Sequence, residues 1–439
     1  MQASAFNLLL LLLYCLSSAV PAFAAEEMNM SGAVERGLKA NPGLQAVKEE
    51  LQGSDYGVKA AKSAFAPQFS SGYGYTKLDR PPSPLNKNRD RWRFHFNIHQ
   101  PICTGFQLLA AHEKAKLIRE NKEAKLKKAR LELTARIRQT FLSLLAFREE
   151  ERSARQALER LQAHLRVSRA FYESGVKTKL DVLQAQSDVA EARQQLLTAR
   201  MGSGTQKARL DSLLAVDSQS EEISYHGRLN FIPVKISLPE CLREAKLKRP
   251  DVKMAQKSAL IASEDARIVA SDFYPELGAD FDYYRYGDGP EVDGSEFQDP
   301  SEWQMGVSLQ WKFFEWGKTY FEYKQARKGQ MRIEAELEDL LLNVQFEVKA
   351  SYLDIQTSKQ KIKVARSGLR EAKEGYRMAK ARYQSQVGTS TEVLDAQTRL
   401  AESEANLTAA LKEYLSAAVN LLSAIGREKY SIMNAPAIY

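Results

Sequence analysis

The 439-residue chain predicts a mixed α/β membrane protein, in which long coiled-coil helices carry a few membrane strands and the whole plan is written twice. Three observations predict it. First, Tyr172-Glu173-Ser174-Gly175-Val176-Lys177-Thr178-Lys179-Leu180-Asp181-Val182-Leu183-Gln184-Ala185-Gln186 aligns without a gap on Tyr383-Gln384-Ser385-Gln386-Val387-Gly388-Thr389-Ser390-Thr391-Glu392-Val393-Leu394-Asp395-Ala396-Gln397. The offset is 383 − 172 = 211, the mark of an internal tandem duplication. Second, Ala154, Leu158, Leu161, Leu165, Ser168 and Tyr172 step by three and four, as do Ile362, Ala365, Leu369, Ala372, Tyr376, Ala379 and Tyr383. That heptad spacing demands left-handed helix-on-helix packing. Third, each half holds two stretches of about ten residues that alternate apolar and polar with the period of a strand.

Composition and targeting signals narrow the class. Hydrophobic residues make up 44% and charged residues 27%, as in ordinary folded chains. Lys plus Arg exceed Asp plus Glu by 63 to 55, a net charge of +8, but no basic motif or stacking pattern accompanies the excess, so nucleic acid is not an expected partner. Residues 1–24 read as a signal peptide, with a short apolar core from Leu8 to Leu16 and a small-residue cleavage pattern at Ala22-Phe23-Ala24, although no Lys or Arg precedes Leu8. The apolar run is too short to span a membrane as a helix. The mature chain is therefore expected to start at Ala25 and to be exported. Tyr14 before Cys15 argues against a lipid-anchor box. Cys103 and Cys241 are expected as two buried thiols, with a disulfide between them the alternative in an oxidising compartment.

In chain order, the first repeat covers 25–216. It begins with a helix over about 31–64 that carries Asn41-Pro42 near its start and breaks at Pro67. A strand over about 66–76 alternates Phe69, Ser71, Tyr73 and Tyr75 with Gln68, Ser70, Gly72 and Gly74. The Pro- and Asn-rich 79–89 reads as a loop. The next strand, about 91–100, has Trp92, Phe94, Phe96 and Ile98 on one face and Arg93, His95, Asn97 and His99 on the other, and ends at Pro101. A helix over about 105–171 follows, ~100 Å long at 1.5 Å per residue. Beyond the tip a second helix runs over about 180–214. Thr178 and Thr389 can cap the helices after the two tips, with an acid three residues on at Asp181 and Glu392. Residues 217–239 read as an irregular linker. The second repeat, 240–426, replays the first: helix 240–272, strands 275–285 and 302–312, helices 317–382 and 391–425, then a tail over 427–439.

Strands apolar on one face and polar on the other, with aromatic residues near their ends, are the pattern of a membrane β-barrel wall. Four strands cannot close a barrel, and open edges cannot sit in lipid. Several chains must share one barrel: two would give eight strands, filled by side chains, and three would give twelve, wide enough for an aqueous pore.

The sequence resembles the TolC-type outer-membrane efflux proteins. The resemblance rests on the two tips, on Gln100-Pro101-Ile102 and Trp311-Lys312-Phe313-Phe314-Glu315-Trp316-Gly317 at the strand-to-helix junctions, and on the matching stretches Ile137 to Leu144 and Val348 to Ile355. Two departures stand out: Lys312 is the counterpart of Pro101, and the usual tip glycine is shifted from the Gly175 position to Gly388. The resemblance implies a homotrimer, with a twelve-stranded β-barrel in the outer membrane and a hollow periplasmic barrel of twelve helices closed at the tips. It implies a passive exit duct for a tripartite pump, served by an inner-membrane transporter and a periplasmic adaptor. Glu392 and Asp395 match the family's acidic constriction and are expected to form pore rings. Tyr383 and Asp181 match a tether that holds the tip shut, and Gly388 stands where the family's second tether has an Arg. Val176, Thr178, Val387, Gly388 and Thr389 are expected to be exposed and to receive the adaptor.

No catalytic or metal constellation competes with this reading. His95 and His99 lie on one strand face ~13 Å apart, too far to share a metal, and are expected to line the pore. No phosphate loop, nucleophile elbow or Cys-His cluster is present, so neither enzyme activity nor a cofactor is expected. The competing function is a structural or adhesive trimeric coiled coil anchored in the outer membrane. Strands in the middle of each half argue against it, because an adhesin needs its anchor only at one end.

Overall fold

The computed structural model describes residues 26–81, 88–217, 222–295 and 299–428. The expected signal peptide and most of the C-terminal tail lie outside the described residues. Two helices of 67 residues each organise the rest. In chain order the elements are β1 (Glu26–Met28), α1 (Met30–Ala40), α2 (Pro42–Ser63), β2 (Gln68–Lys77), β3 (Asp90–Thr104), α3 (Gln107–Glu173), α4 (Lys179–Leu213), β4 (Ile223–Tyr225), α5 (Leu238–Lys248), α6 (Pro250–Ala270), β5 (Glu276–Gly287), β6 (Ser301–Gln310), α7 (Lys318–Gln384) and α8 (Ser390–Ala424).

The long elements match in length, 67 residues each for α3 and α7 and 35 each for α4 and α8. Their special backbone positions recur at one offset. Left-handed residues open the long helices at Gly105-Phe106 and again at Trp316-Gly317, where 316 − 105 = 211. They recur after the helical hairpins at Ala215 and Gly426, where 426 − 215 = 211. Within each junction pair the glycine and the aromatic residue have exchanged places. A residue without Cβ is needed at Gly105, where an added Cβ would come 2.5 Å from the Ser271 carbonyl oxygen.

Two helices expected to be single are broken. Residues 31–64 fold as α1 and α2, and 240–272 as α5 and α6, because Asn41-Pro42 and Arg249-Pro250 hold residues 41 and 249 in extended backbone. Asn41 also caps α2, its side-chain oxygen accepting from Leu44 N at 3.1 Å. β3 does not end at Pro101. It runs on to Thr104 with a register shift between Pro101 and Cys103, a bulge that accommodates a residue with no N–H to donate.

The sheet is antiparallel in the order β2-β3-β5-β6. One face carries Phe69, Tyr73, Phe96, Ile98, Phe281, Trp303, Met305 and Leu309. The other carries His95, Asn97, His99, Asp280, Asp282 and Gln304, tied across strands: His95 to Asp282 at 2.7 Å, Asn97 to Asp282 at 2.9 Å, His99 to Asp280 at 2.7 Å. Both outer strands, β2 and β6, are exposed along their whole length.

The apolar core lies midway along the long helices. It collects Ile137, Phe141, Leu142 and Leu144 of α3, Val348 and Ile355 of α7, Tyr414 and Leu421 of α8, and Tyr225 of β4. Close packing requires Gly37, because an added Cβ would fall 2.3 Å from Ile137 Cδ1. The linker is fastened to this core: Tyr414 Oη donates to the Ile232 carbonyl at 2.9 Å and accepts from Val234 N at 3.0 Å. The two thiols are free, Cys241 buried and Cys103 exposed, so the expectation of two buried thiols holds for Cys241 alone. No helix among the described residues is long and apolar enough to cross a membrane.

Candidate functional site at the helical tips

Away from the sheet, α3 turns into α4 and α7 into α8 through the same loop. In the first tip Val176 N and Lys177 N bond the Phe171 carbonyl at 2.9 and 3.2 Å; in the second Val387 N and Gly388 N bond the Arg382 carbonyl at 3.0 and 3.1 Å. The left-handed position is Gly175 (φ 76°) in the first tip and Gln386 (φ 64°) in the second. The special backbone has therefore not moved with the glycine. Gly388 answers a different need: an added Cβ would lie 3.1 Å from both Arg382 Cβ and Glu392 Oε2 and 3.2 Å from Tyr383 N. It is buried, and this corrects the expectation that the five adaptor-docking residues are all exposed. Val176, Thr178, Val387 and Thr389 are exposed, Val387 at 71%.

The caps differ between the tips. Thr178 and Asp181 form a closed capping box, in which the Asp181 carboxylate accepts from Thr178 N at 3.1 Å and from Thr178 Oγ1 at 2.7 Å. Thr389 accepts from Glu392 N at 3.1 Å, but the Glu392 carboxylate turns instead to Arg382, 3.5 Å away. Glu392 and Asp395 are both exposed, one turn apart on α8.

Tyr383 is only 2% exposed. Its ring packs against His164 and Phe171, with centroids 4.9 and 5.6 Å apart. Lys177 Nζ stands 5.6 Å over the ring, a cation–π contact between the tips. The Tyr383 hydroxyl shares a 3.1 Å hydrogen bond with Ser168 Oγ. It does not pair with Asp181 in this chain, since that carboxylate serves the capping box.

Further polar links join the hairpins beside this pair. His164 Nε2 meets Ser390 Oγ at 2.9 Å. Arg160 donates to Gln397 Oε1 at 2.9 Å and to Glu404 Oε2 at 3.3 Å. Burial pushes the His164 imidazole below the usual histidine range, and Asp181 opposes the shift. A groove of about 420 Å³ runs beside these links, lined by Arg160, His164, Tyr376, Lys380, Tyr383 and Val393. Sequence reading named Tyr383 and missed His164, Ser390 and Arg160. The available signal was polar residues on heptad positions: Ser168, Gln397 and Glu404 interrupt otherwise apolar stripes. Among the described residues no group of three or more His, Cys, Asp or Glu could hold a metal.

Comparison with known proteins gives this architecture a family. The outer membrane efflux protein family matches residues 33–216 and 241–427, two segments that coincide with the two halves. The chain is 22% identical over 410 residues to outer membrane efflux protein BepC of Brucella suis, covering 92% of this chain and 86% of BepC. The fold is similar to that of the outer-membrane channel OprN, with a TM-score of 0.80 at 18% identity, covering 90% of this chain and 89% of OprN. It is equally similar to the CmeC outer membrane channel of Campylobacter jejuni, with a TM-score of 0.80 at 17% identity over 90% and 85% of the two chains.

Proposed function

The chain belongs to the outer membrane efflux protein family, and from that premise we propose that it is the outer-membrane exit duct of a tripartite efflux or type I secretion system. It conducts substrates passively from a periplasmic adaptor and an inner-membrane transporter to the exterior, and it is gated at the helical tips. No reaction is catalysed and no cofactor is held.

The observation that carries this reading is the sheet. Four strands with an apolar face, a hydrogen-bonded polar face and two open edges suit a sector of a barrel wall. Open edges are not tolerated in lipid, so copies must close the ring. Three copies give twelve strands and a lumen lined by the His95, Asn97, His99, Asp280 and Asp282 face. The same stoichiometry suits the helices. Edge helix α4 exposes Leu183, Leu197 and Met201, and edge helix α7 exposes Leu342, Phe346 and Val364; these apolar faces want a neighbour. The matched geometry of the two halves supports a tandem duplication, with two hairpins per chain and twelve helices per trimer. At 67 residues α3 and α7 are about 100 Å long, a periplasmic reach that suits docking of an adaptor on Val176, Thr178, Val387 and Thr389.

Native mass measurement in detergent and single-channel recording in planar bilayers test the proposal together. A trimer that conducts, with higher conductance when the tip is loosened by Tyr383→Phe, is the expected result. A monomer or dimer would sink the shared barrel. A trimer silent under all conditions, tip variants included, would point to the structural or adhesive coiled coil.

A further inference from the structure

The seam between the two hairpins changes character along its length. Midway along the helices it is apolar: Leu142, Leu145 and Ala146 of α3 and Tyr414, Leu415 and Ala418 of α8 belong to one buried cluster. Toward the tips the links become polar. They are Arg160 to Gln397 and Glu404, His164 to Ser390, and Ser168 to Tyr383. Four of these groups are shut away from water, with exposures of 8% for His164, 2% for Ser390, 0% for Ser168 and 4% for Gln397, while Arg160 and Glu404 are partly buried. The Gln397 amide nitrogen is buried without a partner, so closure leaves at least one donor unsatisfied. An apolar seam resists wetting. A polar seam exchanges its bonds for bonds to water at little net cost. The hairpins are thus clamped at mid-length and fastened reversibly at the tip.

We infer that this fastening is a proton-operated latch, in which protonation of His164 drives the two hairpins of one chain apart at the tip. The inference deepens the duct reading and rests on it for the consequence, an opened pore.

The surroundings of His164 decide the sign. From α3, Glu159 and Arg160 line the same groove, as does Lys380 from α7. From α8 it meets the neutral Ser390, with Glu404 held on Arg160. From α4, Asp181 favours the charged ring, and from the first tip Lys177 stands over the adjoining Tyr383. Burial outweighs Asp181, so the closed seam holds the imidazole below its usual range. Separating the hairpins wets the ring and returns it toward the ordinary ~6.5. The open form therefore binds more protons than the closed one. Closure is at full strength above the wetted value and is lost progressively as pH falls from there toward the depressed closed value.

Spin labels on the exposed positions Arg169 of α3 and Arg377 of α7, in a Cys103→Ser background of the full chain, read the seam directly. The inter-label distance should lengthen between about pH 7.5 and 5.5 in the otherwise native protein. His164→Gln keeps a neutral donor without the titration, and it should stay at the short distance throughout. An unchanged distance in the native protein, or an equal lengthening in His164→Gln, overturns the latch. Should His164→Gln not assemble, Ser390→Ala weakens the closed seam and leaves His164 free to titrate, so the transition should move to higher pH; an unmoved transition again overturns it. Loss of conductance at every pH would sink the duct reading while leaving the distance result to judge the latch.

Discussion

Removing the Tyr383 hydroxyl leaves Ser168 Oγ without its partner at a position with no exposure. Tyr383→Phe keeps the ring contacts with His164, Phe171 and Lys177, so it should loosen the closed tip by about 1–3 kcal/mol per chain, the cost of stranding one buried hydroxyl. Ser168→Ala should do the same, and the double variant should add little, because both remove one bond. Asp181→Asn weakens the capping box, about 1 kcal/mol on α4, and its effect should add to that of Tyr383→Phe. Single-channel conductance of the native protein, the three single variants and the two double variants separates the cases. Strong coupling of Tyr383 to Asp181 with none to Ser168 would restore the tether inferred from the family resemblance. At the second tip, Gln386 holds a left-handed backbone that costs a side chain roughly 1 kcal/mol. Gln386→Gly should therefore slow amide exchange in the tip. Gly388→Ala should speed it, since the added methyl presses on Arg382 and Glu392.

At the scale of elements, the strands and long helices were legible because their periods are unambiguous: two in Phe69-Ser70-Ser71-Gly72-Tyr73, three-and-four from Ile362 to Tyr383. The breaks at Asn41-Pro42 and Arg249-Pro250 were visible as dipeptides, but a proline at the first helical position continues a pattern as readily as it interrupts one. The bulge at Pro101 was hidden because the apolar alternation had already ended there. The polar seam was hidden because a heptad pattern reports which face packs, not what the partner face offers at the same level. His164 lies outside the apolar stripe read on α3, and it meets Ser390 of α8. The edge helices extend this argument to assembly. Val364 of α7 is 73% exposed in the single chain. If α7 packs on α4 of a neighbouring copy, Val364→Glu buries a charge there and should abolish the trimer in native mass spectra, while circular dichroism of the helices stays intact. A variant that still forms trimers would move the contact elsewhere on α7.

For the molecule as a whole, the net charge of +8 says nothing about what passes through it, because selectivity is set where the path is narrowest. Three chains would bring three copies each of Glu392 and Asp395 to the tip end of the helical barrel, as two stacked rings. The two positions are not equivalent within one chain. Glu392 has Arg382 at 3.5 Å and is partly compensated, whereas among the described residues no cation is paired with Asp395. A unit charge at 4 Å is worth about 1 kcal/mol in water, so one ring of three carboxylates supplies about 3 kcal/mol, roughly a hundredfold cation preference. Screening by salt lowers it. Asp395→Asn should consequently move the reversal potential in a salt gradient further toward zero than Glu392→Gln does, and the double variant furthest of all. The shifts should shrink as ionic strength rises. Equal selectivity in native protein and double variant would remove both residues from the pore, whereas a larger effect of Glu392→Gln would mean that Arg382 lets go of Glu392 when three chains assemble.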